Sequence, residues 1–312
     1  METYDLIIIG GGPGWMTAGI YAMRAALRAV IIEKGIAGGQ LNNTDSIGNW
    51  PGIEAISGAD LAAAMARHAA SYGLATLTRE VVEVEPGLDF HRVKLDDGQE
   101  LRSLAIILGM GGSPRKLQVP GEVESYGKGV SYCAVCDGFF FRNKTVVVIG
   151  GGDTALEEAL YLAKITRKVT IIHRRDQFRA SKILQKLVQL DPKIEVVWNA
   201  VVAEIITDAN GVAGVRVEDT KNKERRQLEA EGVFIYIGFD PNNALVPAGI
   251  RLSADGYVVT DRKCETSISG IFAIGDLSEK YVRQIVTAAA DGCVAAQAAA
   301  RYVEGKKGGE VQ

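Results

Sequence analysis

The sequence predicts an α/β chain of two doubly wound domains, one inserted into the other. Three observations carry that expectation. A short β-branched run, Leu6-Ile7-Ile8-Ile9, leads into Gly10-Gly11-Gly12-Pro13 and then into a stretch with helical spacing through Met16, Ile20 and Met23. The same order recurs at Val146-Val147-Val148-Ile149, Gly150-Gly151-Gly152 and a helix carrying Ala155, Leu156, Ala159, Leu160 and Ala163. The length of 312 residues exceeds what one hydrophobic core usually serves, at roughly 100 to 200 residues per domain.

Composition narrows the class of partner. With 47% hydrophobic and 23% charged residues the chain reads as an ordinary folded globular protein. A net charge of −3, with no long basic block, supplies no electrostatic footprint for nucleic acid or an anionic membrane. The first residues, Met1-Glu2-Thr3-Tyr4-Asp5, lack the positive region of a signal peptide, and no apolar run reaches the roughly 20 residues that span a bilayer. A cytoplasmic location is expected. Four cysteines, at 133, 136, 264 and 293, are too sparse for a disulfide framework, and Cys264 and Cys293 read as buried or inert thiols.

The two glycine turns are the fingerprints of Rossmann-like dinucleotide-binding domains, each expected as a three-layer ββα stack. After the first turn, the strand Ala29-Val30-Ile31-Ile32 ends at Glu33, about 20 residues on, where a carboxylate can accept hydrogen bonds from ribose hydroxyls. This suits an adenosine without a 2′-phosphate. After the second turn, Val169-Thr170-Ile171-Ile172 ends instead in His173-Arg174-Arg175, with Arg179 four residues beyond Arg175. Guanidinium groups there bind a 2′-phosphate through charge-assisted hydrogen bonds, so the second site prefers NADPH. The alternative is a solvated basic face, and His173 by itself reads as structural. Near the C-terminus, Ile271-Phe272-Ala273-Ile274 runs into Gly275-Asp276, where the Asp either points at a sugar-alcohol chain or makes a turn. This order predicts an insertion, with residues 1–114 and 244–312 forming one domain and 115–243 the other. The crossings, Gly112-Ser113-Pro114-Arg115 and Gly238-Phe239-Asp240-Pro241-Asn242-Asn243, are rich in turn formers and are candidate hinges.

Cys133-Ala134-Val135-Cys136 places two thiols about one helical turn apart. Such pairs have lowered thiol pKa values and exchange disulfides. Half of a zinc site and an inert thiol pair are the alternatives, and the zinc reading lacks a second Cys-x-x-Cys or paired His. Asp137 either moves a proton to or from a leaving thiolate or, with Gly138, turns the chain before the next strand. Phe139-Phe140-Phe141 either packs under the dithiol or shows an apolar patch to a protein partner.

Taken together, these segments resemble the low-molecular-weight thioredoxin reductases of bacteria. The resemblance covers nearly the whole chain and rests on Gly10-Gly11-Gly12-Pro13, Gly38-Gly39-Gln40-Leu41, Asn49-Trp50-Pro51-Gly52, Cys133 to Gly138, Gly150-Gly151-Gly152-Asp153, His173-Arg174-Arg175, Gly275-Asp276 and Arg283-Gln284. It implies a homodimer with one FAD per subunit, and electrons passing from NADPH through flavin and the Cys pair to thioredoxin. By position, the FAD residues would be Gly10, Gly12, Pro13, Glu33, Gly39, Gln40, Asn49, Gly275, Asp276, Arg283 and Gln284. Those for NADPH would be Gly150, Gly152, Asp153, Thr154 and His173, with Arg174, Arg175 and Arg179 as the 2′-phosphate clamp. Cys136 would face the flavin, Cys133 would be its disulfide partner, and Asp137 resembles the family's proton donor. Residues 1–114 and 244–312 then form the FAD domain, and 115–243 the NADPH domain carrying the dithiol. Because the dithiol and the nicotinamide must each reach one flavin, the domains are expected to rotate about the crossings.

Three positions depart from the family pattern. Trp15 stands where the fingerprint has its third glycine, Gly109-Met110-Gly111-Gly112 replaces Ala-Thr-Gly-Ala, and Ala290 stands where glycine is expected. The third glycine lets the helix lie close on its strand, so an indole there is expected to collide. Gly14, Gly19, Gly109 and Gly112 either open room for it, so that the FAD pocket is remodelled, or are unrelated drift or deliberate engineering. Competing functions keep the flavin but change the acceptor to a glutaredoxin-like or peroxidase-partner protein, or drop catalysis for a nucleotide-sensing scaffold without FAD. Ferredoxin-NADP reductases share the architecture but lack the Cys pair.

Overall fold

The computed structural model describes residues 2–43, 47–209 and 211–309. It divides into two compact units, Met1–Ser113 with Asp240–Gln312, and Pro114–Phe239. Unit 1 opens with β1 (Glu2–Ile9), α1 (Pro13–Arg24), β2 (Ala29–Ile32), α2 (Gly58–Ser71), β3 (Ala75–Leu77), β4 (Val81–Glu85), β5 (His91–Leu95) and β6 (Glu100–Leu108). From β7 (Gly112–Pro114) the chain enters β8 (Val130–Ser131), α3 (Ala134–Asp137), β9 (Thr145–Gly150), α4 (Asp153–Ile165), β10 (Lys168–Ile172) and α5 (Lys182–Leu190). Next come β11 (Ile194–Val197), β12 (Ala200–Asp208), β13 (Gly211–Asp219), β14 (Arg225–Glu229) and β15 (Gly232–Tyr236). The chain returns through β16 (Phe239–Pro241) to β17 (Ile271–Ala273) and α6 (Ile285–Gly309).

In unit 1 the sheet runs β3-β2-β1-β6-β5-β4, with β17 also on β6. Strands β3, β2, β1, β6 and β17 are parallel, whereas β5 and β4 are antiparallel additions. The apolar run of β1 is continuous because both of its faces are covered. Leu6 and Ile8 point to a core shared with α1, α2 and α6, while Ile7 and Ile9 point to the opposite core with Val84, Val93 and Val258. Each fully buried aliphatic side chain of this kind stabilises the fold by about 1.5–3 kcal/mol. The alanine-rich α6 lies close on α1, so that a Cβ on Gly292 would overlap the Gly14 carbonyl oxygen.

Unit 2 repeats the plan with a parallel sheet β11-β10-β9-β15-β8. Val146, Val148 and Ile171 face α4, which buries Ala155, Leu156, Ala159, Leu162 and Ala163 against them. Val147, Ile149 and Ile235 face the antiparallel sheet β12-β13-β14 through Val202, Ile205, Val215 and Val217. Each unit is therefore Rossmann-like, with a parallel sheet covered by helices on one face. The crossing strands β7 and β16 pair as a two-stranded ribbon. Among the described residues, no helix is long and apolar enough to cross a membrane.

Candidate active site

The first glycine turn is shaped by close backbone approach. Gly10 sits at φ +125°, where a Cβ would overlap the Gly109 carbonyl, so only glycine is unstrained there. A Cβ on Gly11 would overlap the Glu33 carboxylate, which places that acid from the end of β2 directly beside the turn. Gly12 is the N-cap of α1, has no side-chain cap and has open space where a Cβ would stand. Pro13 fills the first helical position, where its missing N–H costs nothing. The first turn of α1 therefore presents uncapped amides and the positive end of its dipole to an anion.

Hydrogen bonds join other segments of unit 1, one of them to this turn. Gly38 N–H donates to the Gly11 carbonyl at 2.7 Å, and Gly39 backs onto Gly12. Gln40 Nε2 donates to the Gly112 carbonyl at 3.3 Å. Asn49 Nδ2 donates to Gln284 Oε1 at 3.0 Å, joining residues 235 positions apart. Gly275 and Asp276 form a short 3-10 turn after β17, with Gly275 N–H donating to Asp291 Oδ2 at 2.9 Å. Burial raises the Asp276 carboxyl pKa above its ordinary value, and nearby Lys280 and Arg283 oppose that rise. Arg283 lies over the Tyr257 ring at 4.0 Å, and its buried Nε has no partner. An uncapped helix start, an acid at the second strand end and an unpaired buried guanidinium nitrogen fit the diphosphate, ribose and polar ring edge of FAD.

Two expectations about Trp15 are corrected. The indole is 3% exposed within the helix-side core of unit 1, so α1 accommodates it without collision. Gly14, Gly19 and Gly109 do not make the room. A Cβ on Gly14 would meet Ala288 and Ile274, one on Gly19 would meet Leu74 and Ile31, and one on Gly109 would meet Ile274 and Ile9. Trp15 Nε1 is buried without a partner, and the open space at Gly12 shows that the indole does not fill the turn. Ala290 is exposed; the glycine that α6 needs for close approach is Gly292.

In unit 2 a cavity of about 390 Å³ is lined by Gly150, Gly151, Arg115, Arg174, Arg175 and Arg179, among others. A Cβ on Gly150 would overlap the Tyr236 carbonyl, and one on Gly151 would overlap the His173 ring. Gly152 caps α4 with no side-chain bond and open space. Asp153 Oδ1 accepts from Ser181 N–H at 2.6 Å, and Arg179 N–H donates to the Gly151 carbonyl at 2.8 Å. Thr154 is exposed on the first turn of α4. Arg174, Arg175 and Arg179 are exposed, and none has an ion pair or side-chain hydrogen bond among the described residues. Three unpaired guanidinium groups at the cavity rim fit a phosphorylated ribose. His173 is buried against Phe178 and Trp198, its Nε2 lies 3.1 Å from the Gln177 carbonyl, and burial lowers its pKa.

Cys133 is in a disulfide, whereas Cys264 and Cys293 are free. The side chain of Cys136 lies outside the described residues. Cys133 directly precedes α3, and its N–H donates to Ser131 Oγ at 3.0 Å. That hydroxyl donates in turn to Asp137 Oδ2 at 2.5 Å, fixing the carboxylate beside the disulfide segment. Asp137 and Gly138 continue from α3 into a 3-10 turn rather than forming an isolated reversal. The aromatic run does two jobs: Phe139 and Phe140 are 68% and 49% exposed, while Phe141 is buried edge-on to Phe234 at 5.1 Å. Sequence reasoning missed Ser131, only two residues before Cys133, and Tyr236 and Glu158, which reach the disulfide segment only through the fold. Among the described residues, no cluster of three or more His, Cys, Asp or Glu could hold a metal.

A model of the pyridine nucleotide-disulphide oxidoreductase family matches residues 4–292. Thioredoxin reductase of Bacillus subtilis is 45% identical over 304 residues, covering 97% of this chain and 96% of that protein. Thioredoxin reductase of Listeria monocytogenes is 44% identical, covering 97% and 95%. The crystal structure of thioredoxin reductase from Streptococcus pyogenes superposes with a TM-score of 0.87 at 43% identity, covering 97% of this chain and 99% of that one.

Proposed function

Because the chain belongs to the pyridine nucleotide-disulphide oxidoreductase family and, within it, to the thioredoxin reductases, we propose that it reduces the disulfide of a thioredoxin through Cys133 and Cys136. The observation that carries the reading is the Cys133 disulfide in the same unit as a cavity rimmed by three unpaired arginines. When bound, NADPH and FAD supply the hydride and the two-electron relay that reduce the Cys133–Cys136 disulfide.

The chain's own residues then do the rest. Gly12 and the first turn of α1 would hold the FAD diphosphate, Glu33 its ribose, and Gln40, Asn49, Asp276, Arg283 and Gln284 the remainder. Gly152 and α4 would hold the NADPH diphosphate, with Arg174, Arg175 and Arg179 on the 2′-phosphate. A thiolate of the reduced pair attacks the thioredoxin disulfide, forming a mixed disulfide and expelling a thioredoxin thiolate. The second enzyme thiolate then breaks that bond, so one enzyme disulfide is regenerated for each thioredoxin dithiol released. Asp137, which accepts from Ser131 Oγ, would pass a proton to the leaving sulfur. Exposed Phe139 and Phe140 offer apolar area beside the dithiol for a protein substrate.

The dithiol and the NADPH residues belong to unit 2 and the FAD residues to unit 1, so the two half-reactions alternate by rotation about the crossings. A homodimer in the bacterial cytoplasm is the proposed working form; unit 1 exposes the large side chains of Tyr281, Val282 and Val286, which could serve self-association.

Anaerobic NADPH titration of the purified holoenzyme, with and without thioredoxin, tests the reading. Flavin absorbance should bleach with NADPH, and thiols should appear on thioredoxin in equal amount. Bleaching with no thiol on thioredoxin would point to another acceptor.

A further inference from the structure

Beneath α3 lies a pair of ionisable residues that the proposed chemistry does not use. Tyr236, the last residue of β15, accepts a hydrogen bond from Ala134 N–H at 2.5 Å. Glu158, on the second turn of α4, faces the amides of Val135 and Ala134 and the Tyr236 hydroxyl, while its Oε2 is buried with no hydrogen-bond partner. The short α3 thus has its opening amides met by side chains from two other elements. Those amides belong to the residues between the two cysteines.

We propose that Glu158 and Tyr236 are positioning residues of the dithiol, holding the first turn of α3 and setting how readily the reduced cysteines shed their protons. The inference rests on Cys133 and Cys136 being the working thiols. Reduction breaks the S–S bond with two electrons and leaves two sulfurs that share the available protons. A thiolate there draws on the α3 amides. An ionised Glu158 competes for the same amides and repels the thiolate, whereas a neutral Glu158 does neither. The groups facing Glu158 are the Val135 and Ala134 amides from α3, Tyr236 from β15 and Glu157 from its own helix; Asp137, ending α3, acts on Tyr236. Burial, reinforced by Glu157, pushes the Glu158 carboxyl up to about 7, so its charge changes in the range where the enzyme works. Tyr236 opposes that rise by hydrogen bonding to the carboxylate.

The test is the rate of iodoacetamide alkylation at Cys133 and Cys136, resolved peptide by peptide, in dithiothreitol-reduced holoenzyme from about pH 5.5 to 9. Glu158→Gln should lower the apparent pKa of thiolate formation by about one pH unit and abolish an inflection near neutrality. Tyr236→Phe should move that inflection upward, because the carboxylate loses a donor. Two opposite signatures separate charge tuning from general damage. Profiles that coincide with wild type, or rates reduced equally at every pH, would overturn the proposal. Replacing dithiothreitol with NADPH separates the two readings: thiols that appear only with dithiothreitol, yet with the shifted profiles, would sink the reductase reading and leave this one standing.

Discussion

Trp15 combines a large gain with a small cost. The buried indole fills the helix-side core of unit 1, while its Nε1 donates to nothing. Filling outweighs the orphaned donor, because emptying a site of that size costs about 3–5 kcal/mol against about 1–3 kcal/mol for a lost hydrogen bond. Trp15→Gly is therefore expected to lower stability by about 3–5 kcal/mol, with added loss from glycine in a helix. Denaturant melts of flavin-loaded protein read this directly, and an unchanged midpoint would mean that the cavity collapses around the smaller residue. At the ends of β2 and β10 the residue scale was legible beforehand, since Glu33 and Arg174-Arg175 sit at a fixed offset from their glycine turns. Glu158 was not legible: on α4 it neighbours the apolar Ala155, Leu156 and Ala159, and only the fold puts α3 above it.

Among elements, the α1–α6 contact is the most demanding. Gly292 lies so near Gly14 that any Cβ would strike backbone, which cannot rotate away as a side chain could. Gly292→Val should separate the helices and cost about 1–3 kcal/mol or more. Because α1 also presents the open N-terminus at Gly12, the same variant should release FAD more readily; flavin fluorescence on dilution measures it, and full retention would show that α1 holds its place. The repeated strand-turn-helix units were read from continuous apolar β-branched runs, the glycine turns after them and apolar helix spacing, all of which are local properties. The antiparallel layer β12-β13-β14 that covers the parallel sheet of unit 2 was expected only as part of a ββα stack, without its strands being placed.

For the whole molecule, the two crossings are the points through which any rotation must pass. Within unit 2, Arg115 N–H donates to the Gly238 carbonyl at 3.0 Å; within unit 1, Asn242 N–H donates to the Gly111 carbonyl at 3.0 Å. Gly238 has φ +134°, and a Cβ there would press on the Arg115 side chain. Gly238→Ala should stiffen this crossing and lower kcat, with the KM for NADPH and the FAD content unchanged. Steady-state kinetics at saturating thioredoxin decide it, and an unchanged kcat would remove Gly238 from the hinge.

The sequence by itself determined the two glycine turns, the strands that feed them, the acid after one turn and the bases after the other, and the dithiol's place in chain order between them. Each of those rests on spacing within one short segment, where chain geometry converts a pattern directly into a shape. Only the tertiary structure decided that Asn49 meets Gln284, that Gly292 rather than Ala290 is the needed glycine, that an indole fits where the pattern has glycine, and that Tyr236 and Glu158 meet the amides of the residues between the cysteines. Those outcomes depend on volume and contact between distant segments, which no local spacing encodes.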